Sequence, residues 1–496
     1  MNPQISRVAV ASIALIAALI VATTYWQTWA TAGLANRQDN AIQRVAEFTI
    51  ARGQIVTADG RVLAANVAKD VQGKTFFFRH YPAPTLAPHV VGYSTQSRSQ
   101  AGLERSENAY LTGSNANLST VFSTTLDRLR GVTVKGNGLV LTLNAKAQKV
   151  AVDALAGKCG AAVALEPSTG KVLAMASSPS YNENLVETNF AQIGLTKASC
   201  SGAAPLLNRA TDGLFTPGST FKVITAAAAL DTGVFKPDSQ FNDPGYCEEY
   251  GQHVSNAGNP DQTGPEAFGN VTLSQGFQHS INSVFCNIGK KLGAGTILDY
   301  AKRFGFYSIP PLETPRNERA PSGLYKGGTL FDPKHPESQV DPGRLAFGQE
   351  RLLATPLQMA MVTATVANGG VEMQPYVVDR VVDPGGKVVS RTSPHKLAQT
   401  IKPETAAALN TMMQAVMTGG TGASDQIPGV KTAGKTGTAE TGVAHTNTTW
   451  FIEFAPADAP TVAVAVVLEQ QHGYGATTAG PIAKSLMEAL LPQASK

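Results

Sequence analysis

The sequence predicts an α+β protein in which a membrane anchor and a small α+β domain precede a larger α/β domain, where one antiparallel sheet is flanked by helices. Three observations lead to this prediction. An uncharged apolar run opens the chain, short alternating segments with many turn signals follow, and strand patterns lie at both ends of the remaining sequence around a helical middle. We place a cytoplasmic tail at residues 1–7, the anchor at 8–29, the small domain at 33–155 and the larger domain at 156–496.

The anchor is predicted from residues 8–24, which are apolar and uncharged and approach the minimum length of a helix that crosses a bilayer. Tyr25, Trp26 and Trp29 follow this run, as aromatic residues do at a membrane interface. A cleaved signal peptide is the alternative, because residues 30–32 are similar to a cleavage site. We favour an uncleaved single-pass anchor, since the run is longer than the apolar core of most signal peptides. Both interpretations place the rest of the chain outside the cytoplasm.

The composition excludes some classes of function. The chain has 496 residues, is 43% hydrophobic and 15% charged, and carries a formal net charge of +4, which gives no nucleic-acid footprint. Four cysteines fit an oxidising compartment, and we predict the disulfides Cys159–Cys200 and Cys247–Cys286 because neighbours in sequence pair more often. Four buried free cysteines are the alternative. The chain has no Cys-x-x-Cys and its eight histidines lack ligand spacing, so we predict no metal.

The elements of the two domains are predicted from hydropathy patterns and turn residues. In the small domain, alternating segments such as residues 138–143 indicate strands. In the larger domain we predict strands at 161–165, 171–176, 436–439, 449–455 and 461–468, and a last helix at 481–491. Two stretches rich in Gly, Pro, Asp and Asn, residues 241–269 and 308–342, predict surface loops.

The motif Ser219-Thr-Phe-Lys222 is the first of three that indicate a serine acyl-transfer site. Turn residues 216–218 precede it and helix formers follow it, so Ser219 is predicted to open a helix. Lys222 then lies one turn along on the same face and can act as the base that a serine nucleophile needs. That role requires its pKa to fall towards neutrality, through burial and the charge of Lys435. An N-cap serine beside a solvated lysine is the alternative.

The second motif, Ser280-Ile-Asn282, lies between two segments that are predicted to be short helices. A hydroxyl and an amide two residues apart at such a junction can both point into a cleft. Simple helix capping by serine and asparagine is the alternative. The neighbouring His279 is interpreted as structural.

The third motif, Lys435-Thr-Gly-Thr438, is predicted on the first strand of a hairpin with a polar loop. Gly437 would let the backbone of a substrate approach closely. The stretch 429–436 also matches the pattern of a Walker phosphate loop. We reject that interpretation because the loop lacks interior glycines and the residues after it resemble a strand rather than a helix.

Together these motifs, in their order and spacing, resemble those of class B penicillin-binding proteins. The family resemblance extends over most of the chain, at residues 52–55, 59–60, 102–104, 160–176, 208–210, 347–350 and 353–358. Many family members have glycine where Glu350 stands, so this sequence departs from the family pattern at that turn. The resemblance implies the fold shared by penicillin-binding proteins and β-lactamases, with residues 33–155 as a non-catalytic pedestal similar to a dimerisation domain.

The resemblance also implies a catalytic role for each motif residue. Ser219 would attack the carbonyl of a peptidyl-D-alanyl-D-alanine stem and expel the last D-alanine, while Lys222 takes the serine proton. Ser280 and Asn282 would shuttle protons and orient the substrate.

The third motif would bind the substrate. Lys435 would contribute positive potential, Thr436 and Thr438 would donate to the substrate carboxylate, and Gly437 would accommodate its backbone. The oxyanion would lie between the backbone N–H groups of Ser219 and Thr438. No cofactor is implied.

The implied activity is a D,D-transpeptidase of peptidoglycan synthesis, inhibited by β-lactams and expected in septal wall synthesis. Its expected partners are stem peptides, β-lactams, the lipid bilayer and membrane proteins of the division machinery. Three alternatives stay open: a β-lactamase, a D,D-carboxypeptidase that hydrolyses the same acyl-enzyme, and a β-lactam sensor or scaffold with weak catalysis.

Overall fold

The computed structural model describes residues 3–25, 47–114, 135–200, 202–257, 266–440 and 446–492. The helices of this part of the chain are α1 (Pro3–Thr24), α2 (Pro88–Val91), α3 (Gly102–Ser106), α4 (Asn108–Leu111), α5 (Ala145–Leu155), α6 (Asn184–Thr188), α7 (Phe190–Gly194), α8 (Lys222–Asp231), α9 (Leu273–Gln278), α10 (Asn282–Leu292), α11 (Ala294–Arg303), α12 (Pro336–Gln339), α13 (Pro342–Ala346), α14 (Pro356–Ala367), α15 (Pro403–Gly419), α16 (Gly475–Thr478) and α17 (Gly480–Leu490). The strands are β1 (Ile55–Val56), β2 (Val62–Val71), β3 (Lys74–His80), β4 (Gly138–Leu141), β5 (Gly160–Leu165), β6 (Val172–Ser178), β7 (Gln240–Asp243), β8 (Tyr246–Glu249), β9 (Gln252–Ser255), β10 (Gly269–Thr272), β11 (Gly323–Lys326), β12 (Thr329–Leu330), β13 (Leu352–Leu353), β14 (Val371–Met373), β15 (Val378–Val382), β16 (Val388–Arg391), β17 (Lys396–Gln399), β18 (Ala433–Glu440), β19 (Asn447–Ala455) and β20 (Val462–Gln471).

The larger domain is built on a five-stranded sheet with the order β18-β19-β20-β5-β6. Every neighbouring pair in it is antiparallel. Strands from both ends of the domain meet where β20 pairs with β5, for example at Ala463 and Leu165. The predicted antiparallel sheet is therefore confirmed, and β18, which carries the third motif, is its edge strand.

Helices cover both faces of this sheet because its strands are buried on both faces. The buried helix α14 packs on one face against β5, β19 and β20. On the other face, α5 and α17 pack against β6 and β20 and against each other. The two faces therefore belong to separate hydrophobic clusters, and the sheet lies between them.

The second large sheet crosses the predicted domain limit near residue 155. Its six strands have the order β16-β15-β4-β1-β2-β3, so β15 and β16 come from the larger domain and the rest from the small one. Helix α5, which ends at residue 155, packs instead on the sheet of the larger domain. The predicted limits stay predictions, but the layers of the molecule do not divide at that residue.

A buried ion cluster stabilises the small domain. Glu104 is fully buried, and its carboxylate accepts from Arg52 at 2.8 Å and from Arg79 at 2.5 Å. Burial raises the pKa of Glu104, but the two guanidinium groups outweigh burial and hold that pKa below its usual value. Arg79 also donates to Gly53 O, which joins β3 to the start of β1. Glu104 therefore holds two cations that would otherwise be buried without a counter-charge.

We expect Glu104→Gln to lower the free energy of unfolding by about 3–5 kcal/mol, because it leaves the two arginines without an anionic partner. Urea unfolding would measure the loss. Asp153→Asn is the control, since its ion pair with Lys149 is mostly exposed and such pairs contribute about 0–1 kcal/mol. Equal losses in the two variants would contradict the assigned role of Glu104.

The predicted anchor at residues 8–29 overlaps helix α1, and residues 26–29 lie outside the described residues. Within the part of the chain that the structure describes, no helix combines the length and the apolar character needed to cross a membrane. The anchor stays a prediction.

The structure confirms both predicted disulfides, Cys159–Cys200 and Cys247–Cys286. The second joins β8 to helix α10, which carries Asn282 at its first position. The prediction of surface loops at 241–269 and 308–342 is wrong in part. Glycines there mark tight turns between short paired strands, such as β8 with β9 and β11 with β12, while residues 258–265 lie outside the described residues.

Candidate active site

Ser219 lies on a turn that directly precedes helix α8 in sequence and packs against β18. Sequence patterns predict that Ser219 opens a helix, and the structure corrects this by one turn. Residues Gly218–Phe221 form a 3₁₀ turn, and the α-helix begins at Lys222. The left-handed backbone of Gly218, with φ of 52°, explains the difference, because it bends the chain just before the serine. Ser219 is partly exposed, whereas Phe221 is fully buried and anchors the turn.

Three contacts fix the turn from outside the motif. Gly218 N donates to Gly348 O at 3.1 Å, and Trp450 Nε1 on β19 donates to Thr216 O at 2.9 Å. The backbone at Gly437 is so close that an added Cβ would lie 2.9 Å from Pro217 O. The serine turn therefore rests directly on β18. Glu350, beyond Gly348, has φ of 60°, a left-handed conformation that favours glycine.

The amine of Lys222 lies at the centre of the site. Its side chain is fully buried, and Nζ donates to Ser280 O at 2.6 Å and to Asn282 Oδ1 at 2.8 Å, with Ser280 Oγ at 3.3 Å. A neutral amine has two hydrogens and one lone pair, so these two acceptors use both hydrogens. In the described structure no hydrogen bond joins Lys222 Nζ to Ser219 Oγ. The lone pair is therefore left without a strong partner one helical turn from the nucleophile.

The local backbone aims Ser280 at Lys222. Ser280 lies between α9 and α10 and has φ of 58°, a left-handed conformation that is uncommon for serine. This conformation presents both its carbonyl and its hydroxyl oxygen to the lysine. Such a backbone costs on the order of 1–3 kcal/mol and is found mostly at functional sites. The predicted helix junction is confirmed.

Asn282 does not cap the helix that it begins. Its Oδ1 accepts from Lys222, and its Nδ2 donates to Ser255 O on β9 at 3.1 Å. Ile281 precedes α10 without a side-chain cap. The capping interpretation of the second motif is therefore wrong, and its asparagine orients the lysine. His279 stacks on Phe268 with ring centroids 5.4 Å apart, which agrees with a structural role.

Lys435 approaches the same serine from β18. Its Nζ donates to Ser280 Oγ at 2.8 Å and to Thr436 O at 3.1 Å. Burial lowers the pKa of Lys435 to about 7. Burial and the charge of Lys435 together hold the pKa of Lys222 well below its usual value. Burial therefore favours the neutral form of both amines, and for Lys222 the charge of Lys435 adds to this effect.

The rest of the third motif lies along the edge of the sheet. β18 and β19 pair from Ala433 to Glu440, which confirms the predicted hairpin, although its loop at 441–445 lies outside the described residues. Gly437 faces the serine turn, where an added Cβ would lie 2.9 Å from Thr220 Cγ2. Thr436 Oγ1 lies 2.7 Å from Thr421 Oγ1, and Thr438 Oγ1 accepts from Gly475 N at 3.2 Å. The structure thus brings the three motifs, and with them all eight predicted site residues, into one connected cluster.

Sequence reasoning missed Thr421, Gly475 and Gly348, which contact the motifs from other parts of the chain. Thr421 belongs to a Gly-Gly-Thr-Gly run and Gly475 to a Gly-Tyr-Gly run. Clusters of glycine mark places where two backbones approach closely, so these runs are the sequence feature that indicates such contacts. A glycine cluster does not identify the segment that it will contact, because each of these contacts joins residues far apart in sequence.

One group of metal-ligand side chains occurs in the described residues, formed by Cys247, Glu249 and Cys286 within 4.8 Å of one another. The two sulfur atoms form a disulfide, so neither can serve as a thiolate ligand. The active-site cleft offers lysines, hydroxyls and an amide instead, which suit acyl transfer by a serine.

Two family models match the chain. A penicillin-binding protein transpeptidase domain matches residues 160–488, and a penicillin-binding protein A dimerisation domain matches residues 52–139.

Similar proteins cover the chain almost completely. It is 36% identical over 524 residues to the peptidoglycan D,D-transpeptidase PbpA of Mycolicibacterium smegmatis, covering 100% of both chains. Among solved structures, penicillin-binding protein A of M. tuberculosis as a ceftriaxone acyl-enzyme complex has a TM-score of 0.79 and 33% identity, over 90% of this chain and 100% of that one. A D,D-transpeptidase domain of a peptidoglycan glycosyltransferase from Eggerthella lenta has a TM-score of 0.74 and 35% identity, over 89% and 98%.

Proposed function

The chain belongs to the penicillin-binding protein transpeptidase family, and from this membership we propose that it is a peptidoglycan D,D-transpeptidase that cross-links stem peptides through an acyl-enzyme on Ser219. The observation that carries the proposal is the arrangement of Lys222, whose amine is held by Ser280 and Asn282 one turn from Ser219. Burial, with the charge of Lys435, lowers the pKa of this amine. It is a serine-type acyltransferase by family, like the transpeptidases named above.

In the acylation step, Ser219 Oγ bonds to the carbonyl carbon of the penultimate D-alanine. The serine proton passes to the lone pair of Lys222, and the peptide C–N bond breaks. The leaving amine of the terminal D-alanine takes a proton through Ser280, whose hydroxyl contacts both lysines. The proton therefore moves from nucleophile to leaving group within one hydrogen-bonded set.

The third motif would bind the two negative charges of the reaction, the oxyanion and the terminal carboxylate of the substrate. The backbone N–H groups of Ser219 and Thr438 would bind the oxyanion, and losing one such donor costs about 100- to 1000-fold in rate. Thr436, Thr438 and the charge of Lys435 would hold the terminal carboxylate. A substrate strand can lie along β18, because β18 is the edge of its sheet.

In the second step, an amine of a neighbouring stem peptide attacks the ester carbonyl. The new amide is the cross-link, and Ser219 Oγ recovers its proton. A β-lactam has a carbonyl and a carboxylate placed like those of the D-Ala-D-Ala end. It therefore acylates Ser219, and its ring-opened leaving group stays attached and blocks the acceptor.

The test is incubation of the full-length chain with a stem-peptide donor and an amine acceptor, and separately with a β-lactam, followed by mass spectrometry of the protein and the products. A cross-linked product with release of D-alanine supports the proposal. Hydrolysed donor alone would indicate a carboxypeptidase, and a stable β-lactam adduct without either product would indicate a sensor. Rapid drug hydrolysis would indicate a β-lactamase.

We expect the rate of acylation by a β-lactam to have a bell-shaped dependence on pH. On the acid limb the rate rises with pH as Lys222, whose pKa is lowered by burial and by Lys435, loses its proton. The acylation rate then falls as the pH rises past about 7, because burial lowers the pKa of Lys435 to about 7. Above that pH, Lys435 loses the charge that attracts the carboxylate. Stopped-flow acylation from pH 5 to 10 would measure both limbs, and a rate still rising at pH 9 would contradict the role of Lys435.

The protein would act outside the cytoplasm, where its peptidoglycan substrate lies, tethered by residues 8–29 and engaged with division proteins in septal wall synthesis. The uncharged apolar run and the two disulfides support this placement. Fractionation of cells that express the full chain, beside a chain lacking residues 1–29 behind a cleavable export signal, would test the tether. Equal recovery of both chains in the soluble fraction would exclude it.

A further inference from the structure

Both threonine hydroxyls of the third motif have a hydrogen-bond partner outside the motif. Gly475 N, at the start of α16, donates to Thr438 Oγ1 at 3.2 Å. Thr421 Oγ1, just after α15, lies 2.7 Å from Thr436 Oγ1. These two partners approach β18 from separate segments of the chain. Each contact determines whether the threonine hydroxyl can donate its hydrogen to a substrate.

A threonine hydroxyl has one hydrogen to donate and lone pairs to accept with. A backbone N–H can only donate, so Thr438 accepts from Gly475 and keeps its hydrogen for another acceptor. Between Thr421 and Thr436 either oxygen can be the donor. A carboxylate can only accept, so a bound carboxylate orients the pair, with Thr421 donating to Thr436 and Thr436 donating to the anion.

Thr421 also links α9 to β18. Its backbone N donates to Gln278 O at 3.3 Å, at the end of α9 and two residues before Ser280. An added Cβ at Gly420 would lie 2.4 Å from the same oxygen, so this turn is pressed against α9. Thr421 therefore connects the segment that carries Ser280 to the strand that carries Lys435 by hydrogen bonds.

Gly475 brings α16 against β18 at a distance that a side chain would prevent. An added Cβ would lie 2.3 Å from Trp450 O and 2.6 Å from Gly437 O. The N–H of this residue can reach Thr438 only because the two backbones touch.

We propose that Thr421 and Gly475 are positioning residues that hold the hydroxyls of Thr436 and Thr438 as donors towards the terminal carboxylate of the substrate. This inference rests on the proposed transpeptidase function and deepens it. Both residues act through the motif threonines, and their contribution is specific to a ligand with a negative charge at that end.

The test compares two thioester substrates of the full-length chain, one with a terminal carboxylate and one with that group as its methyl ester. We expect Thr421→Val to lower kcat/KM for the carboxylate substrate by about 5- to 10-fold, the usual effect of one lost hydrogen bond between uncharged groups. For the methyl ester we expect a change of less than about 3-fold. Thr421→Ser, which keeps the hydroxyl, should restore the carboxylate substrate to within about 3-fold of wild type.

Equal losses on both substrates, or no loss on either, would overturn the proposal, because a general structural role does not distinguish the charge. A wild-type chain that forms no acyl-enzyme with either thioester would instead overturn the proposed function. Thermal melting of each variant separates misfolding from a lost contact. Gly475→Ala should likewise impair the carboxylate substrate more than the ester, with Gly473→Ala as the neighbouring control, whose added Cβ meets only the side chains of Thr477 and Thr478.

Discussion

Replacing Ser219 with alanine is expected to abolish covalent labelling by β-lactams and to lower transpeptidation by a factor on the order of 10⁶. The reason is that the acyl-enzyme needs an oxygen nucleophile at this turn, and the neighbouring Thr220 hydroxyl is fully buried and donates to Pro217 O. Intact mass spectrometry after incubation with a β-lactam gives the answer directly. The wild type should gain one adduct, and the variant none.

The control is Ser338→Ala, because Ser338 is an exposed serine on α12 far from the motifs in sequence. It should be labelled like the wild type. An adduct on Ser219→Ala would show that another residue is the nucleophile, and peptide mapping would identify it.

Replacing Lys222 with methionine is expected to slow acylation by about 10²- to 10⁴-fold, the usual effect of losing a general base. Methionine has a side chain of similar length without an amine, so Ser219 has no group to take its proton. The change also leaves Ser280 O and Asn282 Oδ1 without their donor. The rate of adduct formation at saturating drug measures the loss in the chemical step.

Lys291→Met serves as the control, since Lys291 is an exposed lysine near the end of α10. It should acylate at the wild-type rate. A Lys222→Met variant that melts normally and acylates within a few-fold of wild type would mean that Lys222 only organises Ser280 and Asn282, and that the base lies elsewhere.

Sequence patterns predicted the parts of the site that depend on short spacing. The Ser219 to Lys222 interval, the helix junction at Ser280 and the hairpin of Lys435 each need only a few consecutive residues. The antiparallel sheet also followed, because apolar runs at both ends of the domain had to be buried together. These features are local, or depend on burial alone.

Long-range contacts were beyond such reasoning. Nothing near Thr421 in sequence points to Thr436, and nothing near β15 indicates that it pairs with β4 across more than two hundred residues of chain. The 3₁₀ turn at Ser219 depends on Gly348 and Trp450, which lie far along the chain. The sequence shows which residues are reactive, but tertiary packing decides how each one points.

The pairing of β5 with β20 has a consequence for how the protein assembles. The central sheet can form only when residues 463–468 have been made and can pair with residues 160–165. Strand β18 joins that sheet only through β19 and β20. Closing so long a loop is entropically costly and makes folding slow. A chain interrupted between Lys222 and β20 therefore carries both residues of the first motif but no stable strand for Lys435. Reactivity towards stem peptides or antibiotics should thus appear only at the end of synthesis, all at once, and never in a partly made molecule.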